Sequence, residues 1–224
     1  MPIFPYITLD IETGNAPEDI IKRAVSQLKA PSNYKDPGKI QEWLDNAAEG
    51  VREKSALLDG APVTCVAAVC GASREVFLGA DEGKVLTDLR AHMDAVTGPD
   101  TVIVGHNHLS FDLPRLRAQC IRARLALPMC LRLHEDDDKR PKVFDTMRRF
   151  SYFTSERHDE RYISLADVID AFGLPKLKEG YTGKDMPALA AANRWDIIRE
   201  YCLLDAVATE AVYLLMTSAH TDMK

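Results

Sequence analysis

Two carboxylates stand two residues apart near the start of the chain, in Ile7-Thr8-Leu9-Asp10-Ile11-Glu12-Thr13-Gly14. The alternation has the period of a β-strand, with Ile7, Leu9, Ile11 and Thr13 on one face and Thr8, Asp10, Glu12 and Gly14 on the other. Both acids therefore leave the same face. Gly14 and the turn-prone Asn15, Ala16 and Pro17 follow at once, so the strand is short and its acids lie near its rim. Two anions this close repel, and unaided one of them tends to keep a proton. A hard divalent cation removes the conflict, because it takes several carboxylate oxygens. A solvated edge strand would display the same pair, so metal binding and plain exposure both stand at this point.

Two later stretches bear on that choice. In Val104-Gly105-His106-Asn107-His108-Leu109-Ser110-Phe111-Asp112-Leu113-Pro114, a β-branched strand runs into a polar turn and then a helix through Leu116, Cys120 and Ile121. Asp112 is either the N-cap of that helix or a third acid at a strand-to-helix junction, where ligands of open α/β sheets sit. Asp145 closes another short strand, Lys142 to Asp145, as a strand-end cap or as a helper of the site. The last helix runs from about Asn193 to Ser218, and its Tyr201 and Asp205 share a face about 5–6 Å apart at Cβ. An aspartate among the apolar residues Cys202 to Val207 is costly to bury unless paired or metal-bound. An internal Tyr–Asp hydrogen bond and a catalytic pair are both compatible with this spacing.

Between these stretches the chain reads as α/β. Helical patterns from Pro17 to Leu28 and Lys39 to Lys54 form a polar insertion from about Asn15 to Ser55, with no chemistry of its own. A hairpin over Val63–Val69 and Glu75–Leu78, a helix from Gly83 to Val96 and a buried strand from Thr101 to Gly105 follow. Ser164 caps a helix that Gly173-Leu174-Pro175 stops, and the basic, glycine-containing loop from Lys176 to Lys184 could lie beside a substrate. A length of 224 residues suits one domain. The net charge of −6 argues against a basic coat for nucleic acid, yet Arg115 to Arg149 holds ten basic and five acidic residues. That segment is +5 and the remainder −11, the imbalance expected of local phosphate contact. Five cysteines without a Cys-x-x-Cys pair argue against a disulfide framework or zinc knuckle and fit a reducing cytoplasm. Cys130 with His134 lacks a second ligand pair. The N-terminus has no basic region and meets Asp10 too early for a signal peptide. No uncharged run approaches the roughly 20 apolar residues of a membrane helix, Gly60 to Ser73 being the longest apolar candidate, so a soluble chain without membrane contact is expected.

Asp10-Ile11-Glu12, Asn107-x-x-x-Phe111-Asp112 and Tyr201-x-x-x-Asp205, in that order, resemble the three motifs of the DEDD superfamily of 3′→5′ exonucleases. The tyrosine spacing is similar to the DEDDy branch; the histidine branch wants His five residues before Asp205, where this chain has Glu200. Ser164-Leu165-Ala166-Asp167 through Leu174-Pro175 resembles proofreading-type exonuclease domains of family B DNA polymerases. Asn33-Tyr34-Lys35-Asp36-Pro37 resembles free-standing phage or prophage relatives. The resemblance spans nearly the whole chain. It implies a ribonuclease H-like mixed central β-sheet flanked by α-helices, one exonuclease domain over 1–224 with the helical insertion after the first strand.

The same resemblance implies two divalent ions, Mg2+ or Mn2+, on Asp10, Glu12, Asp112 and Asp205. Asp10, Glu12 and Asp205 would hold the water-activating ion, Asp10 would bridge to the second, and Asp112 would support that one directly or through water. Tyr201 would orient the attacking water, since an unperturbed tyrosine pKa near 10 suits a base poorly. Thr13, Asn107, Leu109 and Phe111 are the implied substrate-binding residues, with Leu109 and Phe111 either packing on the terminal nucleotide or serving the core. The expected activity is 3′→5′ hydrolysis of single-stranded DNA ends to nucleoside 5′-monophosphates. RNA as substrate and a non-catalytic end-binding or polymerase-docking module are the alternatives. No polymerase domain follows in the sequence, so a separate DNA polymerase or a replication or repair factor is the expected partner.

Overall fold

The structure, a computed structural model, describes residues 3–132, 142–154, 162–175 and 180–221. The chain divides into two compact units, one of Met1–Glu12 with Val63–Lys224 and one of Thr13–Pro62.

The first unit is built on five strands: β1 (Tyr6–Thr13, its last residue in the second unit), β2 (Val63–Cys70), β3 (Ser73–Leu78), β4 (Val102–Gly105) and β5 (Lys142–Asp145). They lie in the order β3-β2-β1-β4-β5. β1 pairs with β4 and β4 with β5 in parallel, while β2 and β3 form an antiparallel hairpin. The sheet is therefore mixed and flanked by helices, the α/β architecture expected. Gly71 closes the hairpin at φ +59°, a left-handed conformation that glycine adopts without a Cβ penalty.

Alternation along the strands divides the apolar residues between two faces. Ile7, Leu9, Ile11, Val66 and Ala68 face α3 (Glu82–Val96) and α4 (Asp112–Arg122), burying Val85, Leu86, Leu89, Met93, Leu113 and Leu116. Cys65, Ala67 and Val69 face α7 (Met186–Ala191) and α8 (Trp195–Thr221), whose Ile198, Cys202 and Ala206 are fully buried. A third cluster joins α6 (Leu165–Ala171) to the later half of α8 through Val168, Ile169, Ala208 and Val212. α6 begins with a capping box in which Ser164 and Asp167 satisfy each other's backbone N–H groups, and Gly173 at φ +65° follows its end. The sequence reading omitted two short helices, α5 (Thr146–Thr154) directly after β5 and α7.

By length and composition alone α8 is long and apolar enough to cross a membrane, more so than the 60–73 stretch. Its buried face is spent on the sheet and on α6.

In the second unit, α1 (Glu18–Ser26) and α2 (Pro37–Glu53) surround a small core of Ala16, Ile21 and Ala61, with Ile20, Val25, Val51 and Leu58 against it. Asp36 caps α2 by accepting the Lys39 N–H at 3.0 Å, and Pro37 occupies the first helical position, where its missing N–H costs nothing. Gly60 lies so close to Ile20 that an added Cβ would meet its Cγ1 at 2.8 Å.

Candidate active site

Parallel pairing places the acids. The β1–β4 register runs from Tyr6 opposite Val102 to Thr8 opposite Val104, so β1 continues past the end of β4. Asp10 and Glu12 lie in that overhang, at the edge where β1, β4 and β5 all end. In sheets of this kind that edge is the usual ligand site. Asp205 reaches it from α8, and the ligand oxygens of Asp10, Glu12 and Asp205 lie within 4.8 Å of one another.

One oxygen in this cluster is unsatisfied. Asp10 Oδ2 is inaccessible to solvent and has no hydrogen-bond partner among the described residues. Burial first, then the charges of Asp205, Glu12 and Asp112, push the Asp10 carboxyl well above the ordinary carboxylate range. An all-oxygen donor set with an orphaned buried carboxylate oxygen fits a hard divalent cation, which supplies the missing partner and cancels the repulsion.

Asp112 does not cap α4. It is the first helical residue, Phe111 is the N-cap, and no side-chain cap bond forms. Its Oδ1 instead accepts the Ile11 N–H at 3.2 Å, which ties the start of α4 to β1 between Asp10 and Glu12. The other oxygen, Oδ2, stands 3.5 Å from Nδ1 of His108, a fully buried ring with no hydrogen-bond partner among the described residues. His108 in turn packs on Gly105, where a Cβ would come within 2.3 Å of the ring. Asp112 lies outside the tight trio and acts on Asp10 through its charge.

Tyr201 and Asp205 face the cluster one helical turn apart. Burial and then the charges of Asp205, Glu12 and Asp10 push the Tyr201 hydroxyl upward, so it stays protonated at neutral pH. The Gly183 backbone hydrogen-bonds to that hydroxyl, and an added Cβ there would lie 4.0 Å from the oxygen, an ordinary contact. The basic loop expected beside a substrate thus meets the site at Gly183; its residues 176–179 lie outside the described ones.

Two residues missed in the sequence tie α8 to the sheet. The Cys202 thiol donates to the Asp10 carbonyl at 3.4 Å. Glu210 accepts from the Tyr6 hydroxyl at 2.9 Å and from the Gly71 N–H at 2.7 Å. Glu210 carries a readable signal, being a lone acid in the apolar run Ala206 to Met216. The Cys202 bond carries none.

The four implied substrate-binding residues are spread over both units. The Thr13 hydroxyl, in the second unit, donates to the Ala56 carbonyl. Asn107 adopts φ +55°, a left-handed conformation that asparagine tolerates better than most residues. Leu109 is exposed, while Phe111 packs against the core with the Arg115 guanidinium over its ring. Asp145 is a backbone anchor rather than a ligand: it accepts the N–H groups of Asn107, Leu109, Met147 and Arg148.

Part of the basic segment has partners within the fold, though most of its described basic residues are exposed. Arg115 is buried, Arg117 and Arg132 donate to the Leu131 and Leu127 carbonyls, Lys142 pairs with Asp100, and Arg149 covers the Phe144 ring. Desolvation also lowers the Arg117 pKa. His134, the Glu135 to Asp138 run, Lys139 and Arg140 lie outside the described residues.

Comparison with known proteins gives two positive findings. A family model described as a predicted 3′-5′ exonuclease related to the exonuclease domain of PolB matches residues 78–224. That span includes Asn107 to Asp112, Tyr201 and Asp205, but not Asp10 or Glu12. The family B DNA polymerase of the hyperthermophilic archaeon Pyrobaculum calidifontis has a similar fold, with a TM-score of 0.53 at 15% identity. The match covers 91% of this chain and 23% of the polymerase, so the chain spans about a quarter of that protein's length. No curated protein matches the sequence.

Proposed function

This chain belongs to the family of predicted 3′→5′ exonucleases related to the exonuclease domain of PolB, and from that premise we propose that it hydrolyses the terminal phosphodiester bond of single-stranded DNA 3′ ends, releasing nucleoside 5′-monophosphates. The observation that carries the reading is the buried, partnerless Asp10 Oδ2 inside a cluster whose oxygens lie within 4.8 Å. Asp10, Glu12 and Asp205 would hold one divalent ion, Mg2+ or Mn2+, and Asp10 with Asp112, directly or through water, would hold a second. Bound there, the ions supply an activated water and neutralise charge on the phosphate and the leaving oxygen.

The residues of the chain supply orientation. A hydroxyl that stays protonated is a donor, so Tyr201 holds the attacking water in line rather than removing its proton. Asp112, fastened to the Ile11 N–H, fixes the start of α4 against β1, with its second oxygen 3.5 Å from Nδ1 of His108. Asn107 and Leu109, held by Asp145, and Phe111 contact the terminal nucleotide in this reading. The family's relation to a DNA polymerase domain favours DNA over RNA. A separate polymerase or repair factor as partner and a reducing, cytoplasmic setting complete the proposal; all five cysteines are free.

Digestion of matched DNA and RNA oligonucleotides tests it. The parent protein is expected to shorten DNA from its 3′ end to 5′-monophosphates, faster than RNA. Asp10→Ala and Asp205→Ala should fall by about a thousandfold or more, the scale of removing a major transition-state stabiliser. Tyr201→Phe should lose about 10- to 100-fold while still binding metal. Parent-like turnover in either alanine variant would overturn the site, and unchanged turnover in Tyr201→Phe would remove its role.

A further inference from the structure

The Thr13–Pro62 unit holds a cavity of about 570 Å3 that none of the chemistry above uses. Its volume lies in the range of small-ligand clefts. Tyr34 and Trp43 supply aromatic walls, Lys35 and Lys39 ammonium groups, and Asn33 and Asn46 carboxamides. Neither aromatic belongs to the core of this unit, which is made of Ala16, Ile21 and Ala61 with four aliphatic neighbours. Large aromatic side chains left out of a small core are candidates for contact with something else.

The local backbone explains how they come to share one wall. The Tyr34 N–H bonds to the Pro31 carbonyl at 3.0 Å, closing a turn that brings Tyr34 and Lys35 back against the start of α2. On α2 itself, Lys39, Trp43 and Asn46 follow at intervals of four and three and so line one face. Two acids also line the cavity, but they are not equivalent. Asp36 is committed to the helix, its carboxylate accepting the Lys39 N–H. Glu42 is the other. Among the described residues no ion pair engages Lys35, Lys39 or Glu42, so both ammonium groups are available to a phosphate.

We propose that this cavity binds a nucleotide of a single nucleic-acid strand, with the base against Tyr34 and Trp43 and the flanking phosphates on Lys35 and Lys39. Aromatic faces beside cationic groups are the combination by which proteins hold single strands without reading sequence. The carboxamides of Asn33 and Asn46 add donors and acceptors for the base edge or sugar. The inference takes its ligand class from the nuclease reading and adds a second place of contact to it.

The test uses the full chain in EDTA, so that binding is measured without cleavage, with a fluorescein-labelled oligothymidylate as probe. Binding is expected to quench part of the tryptophan emission, and Trp43→Phe, which leaves only Trp195, should abolish that change. Tyr34→Ala should weaken affinity at least about fivefold, and Tyr34→Phe should restore it, because stacking needs the ring and not the hydroxyl. Lys35→Ala with Lys39→Ala should lower the slope of log affinity against log salt by about 1.4, at about 0.7 per single-strand phosphate contact. Melting temperatures near the parent value certify that the variants fold. Parent-like affinity, slope and emission change in these folded variants would overturn the cavity, whatever the nuclease assay gives. Oligonucleotide binding with these effects, but no cleavage when Mg2+ or Mn2+ is restored, would uphold the cavity and overturn the nuclease reading alone.

Discussion

Asp10 is held in an environment that opposes its charge, and this has a measurable sign. Its carboxyl is raised by burial and by Asp205, Glu12 and Asp112, so above about pH 4 the folded chain binds more protons than the unfolded one. Without metal, stability therefore falls as pH rises from the ordinary carboxylate range through the raised value. Asp10→Asn removes that dependence. In EDTA at pH 7.5 the variant should melt at least about 2 °C above the parent, taking about 2–4 °C per kcal/mol for a chain of this size. Mn2+ should then stabilise the parent and not the variant, because a ligand stabilises only the state that binds it. A variant that melts below the parent in EDTA, or gains equally from Mn2+, would contradict the electrostatic account. Asp10 and Glu12 were legible as a pair because strand alternation alone puts them on one face. The partner of Asp112 was not, since the Ile11 N–H lies 101 residues away and only the folded sheet brings them together. Gly183 was equally hidden: its hydrogen bond to the Tyr201 hydroxyl comes from the backbone, which carries no residue-specific signal.

At the scale of elements, the site depends on how tightly the β4–α4 turn is closed. Gly105 has no room for a side chain, since a Cβ would meet Cγ, Nδ1 and Cβ of His108 at 2.3, 2.5 and 2.6 Å. Relief requires His108 to move, and with it the turn that carries Asp112. Gly105→Ala should cost about 1–3 kcal/mol, as overpacking does, and should lower turnover together with melting temperature. Parent values for both would show that the turn is looser than this packing implies. The hairpin, α3, α6 and α8 were legible from apolar period and caps, as with Ser164 ahead of Leu165 and Gly173 after Ala171. α5 and α7 were not. α7 has only six residues, too few for a helical period to register, and α5 starts immediately after a strand, with Asp145 ending one element and supporting the first N–H groups of the next. The basic excess of the 115–149 segment divides in the same way: Arg115 is buried and Arg117 half-buried, while Arg122, Arg124, Arg132, Lys142, Arg148 and Arg149 are exposed.

Across the whole molecule the mixed sheet explains why residues so far apart in sequence converge. β1, β4 and β5 run parallel and end at one edge, and α8 delivers Asp205 to it from the far end of the chain. A chain of net charge −6 that gathers three carboxylates within 4.8 Å, with Asp112 close behind, has little electrostatic reason to do so except to bind cations. The family match covers α4 and α8 but stops short of β1, so the assignment of Asp10 and Glu12 rests on geometry. Digestion of a 5′-end-labelled DNA oligonucleotide, with and without EDTA, by the parent and by Asp205→Ala probes that geometry most directly. The account predicts a ladder shortening from the 3′ end only for the parent, only with Mg2+ or Mn2+ present, and abolished by EDTA. Cleavage that survives EDTA, or an Asp205→Ala protein that degrades the strand at the parent rate, would contradict it.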